Sequence, residues 1–148
     1  MSASGKITVS VASRVANVDL IHAISDQVAT LVGFDTDEIL NLGLAVREAT
    51  INAMKHGNAM NPRKTVRVVF EFGDREMSVA IRDQGRGFAL EDVADPTLPE
   101  NLYRPNGRGL LLMKSFVDRV EVRRDAGKGT EVALFKHARE ASAARRRE

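Results

Sequence analysis

The chain has 148 residues, 43% of them hydrophobic and 28% charged, which suits one globular domain able to bury a full core unaided. With no cysteine, it excludes disulfides, thiolate metal ligation and thiol catalysis; no apolar run approaches the eighteen or so residues of a membrane span, and the first residues carry no hydrophobic signal region. The formal charge of +2 comes partly from Arg139 and Arg145-Arg146-Arg147, so the body is close to neutral, and one tyrosine with no tryptophan supplies little for stacking nucleic-acid bases.

Ile7, Val9 and Val11 alternate with Thr8 and Ser10, the period of a half-buried strand over about residues 6–12. Val15, Val18, Ile21, Ile24, Val28 and Leu31 then recur at intervals of three and four, so a helix runs to about Val32 and stops at Gly33. His22 lies in it, and without an acidic neighbour in sequence it reads as a plain helix histidine. Asp35 followed by Glu38 is an acidic capping box that opens a second helix, and Gly57, Asn58, Asn61 and Pro62 end that helix.

The second helix carries Glu48-Ala49-Thr50-Ile51-Asn52-Ala53-Met54-Lys55-His56-Gly57. At about 100° per residue, Glu48, Asn52 and Lys55 project from one side, with His56 at its margin. Glu48 can act as acceptor or base, Asn52 offers a neutral oxygen to a hard cation, and Lys55 or His56 can face phosphate. The alternative is the solvated face of an ordinary amphipathic helix, but Ile39, Leu42, Ala45, Val46, Ala49 and Ala53 around the rest of the circumference predict burial on more than one side. A polar stripe on so buried a helix needs partners.

Two strands follow at residues 66–72 and 77–82, joined by a tight hairpin at Gly73-Asp74-Arg75. Met77, Val79 and Ile81 share one face, and the next residue on it is Asp83, an acid where the pattern predicts core. Asp83-Gln84-Gly85-Arg86-Gly87-Phe88 reads either as a turn with two positive-φ glycines or as a carboxylate at the floor of a cleft. In the second reading Gly85 and Gly87 leave the backbone bare for a flat ligand, and the carboxylate, which only accepts hydrogen bonds, suits an amine such as the exocyclic nitrogen of adenine.

Residues 89–106 lack periodicity and hold three of the four prolines, the composition of a lid or binding loop. Asn106-Gly107-Arg108-Gly109 opens the helical run Leu110, Leu111, Met113, Lys114, Phe116 and Val117, and glycines at such a point leave amides suited to phosphate. Arg104 and Arg108 add charge beside it. The chain closes with strands near 119–123 and 130–136 around Asp125-Ala126-Gly127-Lys128-Gly129, and Thr130 ends an apolar row as Asp83 does. Residues 137–148 are a short basic tail without aromatics, expected to be solvated.

Glu48-x-x-x-Asn52-x-x-x-His56-Gly57, Asp83-x-Gly85-x-Gly87-Phe88, Gly107-Arg108-Gly109-Leu110 and Gly127-x-Gly129-Thr130 occur in that order. The series resembles the N box, the two glycine boxes and the final glycine-threonine box of the ATPase superfamily shared by DNA gyrase, Hsp90, histidine kinases and MutL. Within it the chain is most similar to the small anti-sigma-factor serine/threonine kinases of bacterial partner-switching systems, through Arg47-Glu48-Ala49, a short lid, and the run from Gly109 to Asp118 that leads into Val120-Glu121-Val122. The resemblance implies an α+β two-layer sandwich, with helices on one face of a mixed, mostly antiparallel sheet and the nucleotide between them, built from residues 1–136. It implies ATP and magnesium as cofactors, Glu48 as general base and Asn52 as magnesium ligand. Asp83 and Thr130 would hold adenine, Gly87, Gly107 and Gly109 would lie along the phosphates, and Lys55, Arg104 and Arg108 would stabilise charge. Partners implied are a sigma factor or similar regulatory protein, a small antagonist protein as phosphoryl acceptor, and a second copy in a homodimer, with no nucleic acid and no membrane, in the cytoplasm. A catalytically silent ATP-binding module that sequesters its partner and a detached histidine-kinase catalytic domain are the alternatives.

Overall fold

A computed structural model of the protein describes residues 4–85, 113–125 and 128–139. Strand β1 (Gly5–Ala12) leads into helices α1 (Ala16–Val32) and α2 (Thr36–Asn52), and α2 runs on without a break into a π-helical turn, Ala53–Gly57. Strands β2 (Thr65–Gly73), β3 (Glu76–Arg82), β4 (Arg119–Asp125) and β5 (Gly129–His137) complete one sheet in the order β1-β2-β3-β5-β4. Every strand pairing among the described residues is antiparallel. The architecture is the expected two-layer α+β sandwich.

Alternation along the strands decides which face the helices cover. Val68, Phe70, Val79, Ile81, Val132 and Leu134 point to one side and are almost wholly buried, while Arg67, Glu71, Arg82, Glu121, Arg123 and Glu131 sit on the alternate positions. Strand register aligns the buried rows across the sheet: Val68 faces Ile81, which faces Val132, and Phe70 faces Val79, which faces Leu134. Against this floor lie Val18, Ile21 and Val28 of α1 and Leu42, Ala45, Val46 and Ala49 of α2. The β2–β3 hairpin closes through the two-residue turn Asp74-Arg75, with Arg75 at φ 58°.

Helix α1 ends where the pattern predicts, at Gly33 in the left-handed conformation (φ 99°). His22 lies at the seam between the two helices, its Nε2 3.6 Å from Asp26 Oδ1, above Gly43 of α2. A Cβ on Gly43 would lie 2.5 Å from His22 Nε2, so a glycine in mid-helix is what lets α1 and α2 approach this closely.

The capping box of α2 is complete and has a third member. The Glu38 amide donates to Asp35 Oδ1 at 2.8 Å, the Asp35 amide donates to Glu38 Oε1 at 3.0 Å, and Glu38 Oε2 accepts the Arg139 amide at 2.7 Å. The Arg139 guanidinium reaches Asp35 Oδ2 at 2.8 Å, so the chain just past β5 is tied to the start of α2. The Glu38 amide and the Arg139 charge hold the Asp35 carboxyl below its ordinary range. A carboxyl so lowered contributes stability above its unfolded pKa and loses it as pH falls through the folded value. Asp35→Ala is therefore expected to cost about 1 kcal/mol in urea unfolding at neutral pH, with the gap from wild type closing on acidification. Equal midpoints at neutral pH would mean that the box does not support the helix.

Candidate functional site

The site forms where three elements end together: the π-helical turn, β3 and the start of β5. The apolar row Met77, Val79, Ile81 continues into Asp83, so the pleat drives this carboxylate into the interior, where it is 2% exposed. Asp83 Oδ1 accepts hydrogen bonds from the Gly85 amide at 2.8 Å and the Thr130 amide at 3.2 Å, while the Asp83 amide donates to the Thr130 carbonyl at 3.1 Å. Its other oxygen, Oδ2, is buried with no hydrogen-bond partner among the described residues. A buried carboxylate oxygen left bare is costly unless something else supplies a donor. Burial pushes the Asp83 carboxyl above its ordinary range, against the pull of the two backbone amides and of the Arg82 and Lys64 charges.

Glycine backbones wall this carboxylate. A Cβ on Gly57 would lie 2.2 Å from Asp83 Cγ, one on Gly85 would lie 1.8 Å from the Gly57 carbonyl oxygen, and one on Gly129 would lie 2.2 Å from the Asp83 carbonyl oxygen. Gly129 in addition takes φ 98°, the left-handed region that favours glycine. Gly85 does not: its φ is not positive, which corrects the turn reading of this glycine. Glycine stands at 85 because the backbone of the helix end passes directly over it. The result is a carboxylate with one oxygen fixed by two backbone amides and the other bare of hydrogen bonds beside the Gly57 backbone, an acceptor whose unmet valence suits an amine donor.

The π-helical turn is the second correction. The 100° step that aligns Glu48, Asn52 and Lys55 holds through Asn52 and then gives way to i→i+5 bonding with a smaller angular step per residue, so Lys55 and His56 no longer extend the stripe with α-helical spacing. Glu48 is half-buried and Asn52 is 6% exposed, and neither side chain makes a hydrogen bond or ion pair among the described residues. Lys55 and His56 are exposed at the end of the turn. Asp83, Gly85 and Thr130 are thus brought together, and Gly57 brings the end of the Glu48–Asn52 helix onto them. Gly87, Arg104, Gly107, Arg108 and Gly109, with the loop 89–106, lie outside the described residues.

One residue that the sequence presents as a helix terminator belongs to the site's frame. Asn58 is 1% exposed, and its side-chain oxygen accepts the Gln84 amide at 2.7 Å. An asparagine after a glycine is an ordinary stop signal, and single-sequence patterns hold nothing that separates an exposed stop from a buried clamp.

Residues 11–136 match the family model for the histidine kinase-like ATPase domain. The chain is 33% identical over 104 residues to the anti-sigma F factor of Clostridium acetobutylicum, covering 68% of this chain and 71% of that one. To the serine-protein kinase RsbW of Bacillus licheniformis it is 29% identical over 124 residues, covering 80% and 78%. Its fold superimposes with a TM-score of 0.65 on a crystal structure of the RsbU and RsbW domains of a Mycobacterium tuberculosis protein, at 16% identity over 90% of this chain and 32% of that longer one. The chain therefore belongs to the histidine kinase-like ATPase family, and within it to the group that its anti-sigma and serine-kinase relatives represent.

Proposed function

We propose that this protein is an ATP-dependent serine/threonine kinase that acts as an anti-sigma factor and phosphorylates a small antagonist protein. The observation that carries the reading is the bare, buried Asp83 Oδ2 walled by Gly57 and Gly85, at the end of the helix that bears Glu48 and Asn52. An adenine amine completes the carboxylate's hydrogen bonding, whereas guanine presents an oxygen at the equivalent edge and would meet an acceptor with an acceptor. Family membership makes the nucleotide ATP, and the names of the relatives at 29–33% identity supply the activity and the partner class.

In this reading Asp83 and Thr130 hold the base, with Gly85 lying against it. Asn52, which is buried and whose amide has no partner among the described residues, offers its oxygen to magnesium. When bound, the metal would neutralise charge on the phosphate oxygens. Glu48, one helical turn from Asn52, accepts the proton of the incoming serine or threonine hydroxyl. Gly87, Gly107 and Gly109 line the phosphates, and Lys55, Arg104 and Arg108 supply positive charge. The kinase body, expected from the sequence to end at residue 136, extends to Arg139, because β5 reaches His137 and Arg139 is tied to the start of α2, and the basic tail follows it; the protein works in the cytoplasm as a homodimer on protein partners. Among the described residues no helix is long and apolar enough to cross a membrane.

Calorimetric titration separates this from a degenerate fold. Mg·ATP is expected to bind with clear preference over Mg·GTP, and to bind less well when magnesium is withheld. Folded protein that takes up neither nucleotide would refute the reading.

A further inference from the structure

Asn58 carries no chemistry in the site as assigned, yet its side chain makes three hydrogen bonds where that of Asp83 makes two. Its amide nitrogen donates to Ser13 Oγ at 2.8 Å, just past β1, and to the Thr65 carbonyl at 3.0 Å, at the start of β2. Its oxygen accepts the Gln84 amide at 2.7 Å, just past β3. Two of the partners are bonded to each other, the Thr65 amide donating to Gln84 Oε1 at 2.8 Å, and Ser13 Oγ donates to the carbonyl of Lys64, the residue before Thr65, at 2.8 Å. The Asn58 backbone amide donates to the Ala53 carbonyl at 2.9 Å and so closes the π-helical turn.

Geometry ties this network to the carboxylate. Gln84 and Gly85 carry successive backbone amides of one turn: the first is held by Asn58 and the second grips Asp83 Oδ1. Asp83 Oδ1 is fixed by that turn and by Thr130, so the direction in which the bare Oδ2 faces depends on where the turn stands. Of the hydrogen bonds among the described residues, the one from Gln84 to Asn58 joins the end of the Glu48–Asn52 helix to this turn. The Gly57 carbonyl also passes close over Gly85, a contact that repels but does not hold, and the Gln84 side chain is held from β2 by the Thr65 amide.

We propose that Asn58 is a positioning residue for nucleotide-base selection: by clamping the Gln84 amide to the end of the helix, it aims the free oxygen of Asp83 at the base. The inference rests on the reading of Asp83 as the base acceptor. It differs from a purely structural role in what it affects. A structural amide supports the fold and leaves the choice of base alone, whereas a clamp on the acceptor's aim sets the preference of adenine over guanine.

The test compares wild type, Asn58→Ala, Asn58→Ser and Ser13→Ala by calorimetric titration with Mg·ATP and Mg·GTP, alongside thermal unfolding. Both Asn58 substitutions are expected to weaken Mg·ATP binding about tenfold, or about 1.4 kcal/mol, the order of one misdirected hydrogen bond to a charged acceptor, and to narrow the preference over Mg·GTP. Ser13→Ala removes one neighbour of the Asn58 nitrogen but leaves the Gln84 bond, and it is expected to lower stability with the preference intact. If Asn58→Ala does not fold, Asn58→Ser, which keeps a hydroxyl but cannot reach Gln84 in the same way, gives the answer. A folded Asn58 variant with wild-type affinity and preference would overturn the proposal, as would a loss of preference of equal size in Ser13→Ala. Wild type that binds neither nucleotide would instead overturn the base-site reading on which the proposal stands.

Discussion

Asp83→Asn is expected to lower the affinity for Mg·ATP at least tenfold, a loss of about 1.4 kcal/mol or more, while leaving the nucleotide-free protein as stable as wild type or more so. The two halves of this result share one cause. Asp83 Oδ1 is committed as acceptor to the Gly85 and Thr130 amides. An amide at this position must keep its oxygen there, because its nitrogen would meet two donors. The nitrogen therefore takes the place of the bare Oδ2, and the group facing the base changes from acceptor to donor. Binding falls because donor meets donor.

Stability moves the other way. The carboxyl is held above its ordinary range by burial, so the folded state binds its proton more tightly than the unfolded chain does. Stability from such a group is fully present below the unfolded pKa and is lost as pH rises through the raised folded value. At neutral pH the ionised Asp83 is thus a cost to the fold, which the neutral amide relieves. The gain of Asp83→Asn should fade on acidification, and nucleotide binding by wild type should weaken over the same fall in pH as the acceptor is protonated. An Asp83→Asn protein that is much less stable at neutral pH and binds Mg·ATP normally would show that the carboxylate serves the fold.

Glu48→Gln is expected to separate binding from chemistry. The Glu48 side chain is half-buried and makes no hydrogen bond or ion pair among the described residues, so replacing one oxygen by an amide nitrogen breaks none of their bonds. The variant should unfold with wild-type midpoint and bind Mg·ATP with near wild-type affinity. Phosphoryl transfer to the antagonist should fall by about 10²–10⁴-fold, the usual contribution of a positioned general base. Retained transfer would sink the assignment of Glu48 as base, and lost nucleotide binding would move the residue from proton transfer to ligand contact.

Much of this could be read before any coordinates. Period-two alternation located β1, β2, β3 and β5 to within a residue or two, and the apolar row that runs into Asp83 placed a carboxylate in the interior. The capping box at Asp35 and Glu38 and the stop at Gly33 are local chemistry, and both are present. What stayed hidden depends on contacts between distant segments. The placement of β5 between β3 and β4 follows from how the faces pack. The reason for glycine at 57 and 85 is that two backbones 28 positions apart touch, which no local pattern records. The π-helical turn shifts hydrogen bonds by one residue without any signature residue, and it interrupted the stripe that predicted Lys55 beside Asn52. Asn58 looked like punctuation because its partners Ser13, Thr65 and Gln84 come from three other parts of the chain.

The most direct measurement is transfer of labelled γ-phosphate from Mg·ATP to the antagonist protein of one of the anti-sigma relatives, or of the protein's own host, followed by acid treatment of the product. A serine/threonine kinase yields phosphate on the antagonist that survives acid, and that is the predicted result. Acid-labile phosphate would make the protein a histidine-kinase catalytic domain working on a separate partner. No transfer at all, from folded protein that binds Mg·ATP and the antagonist, would contradict the kinase reading and leave an ATP-dependent binding module.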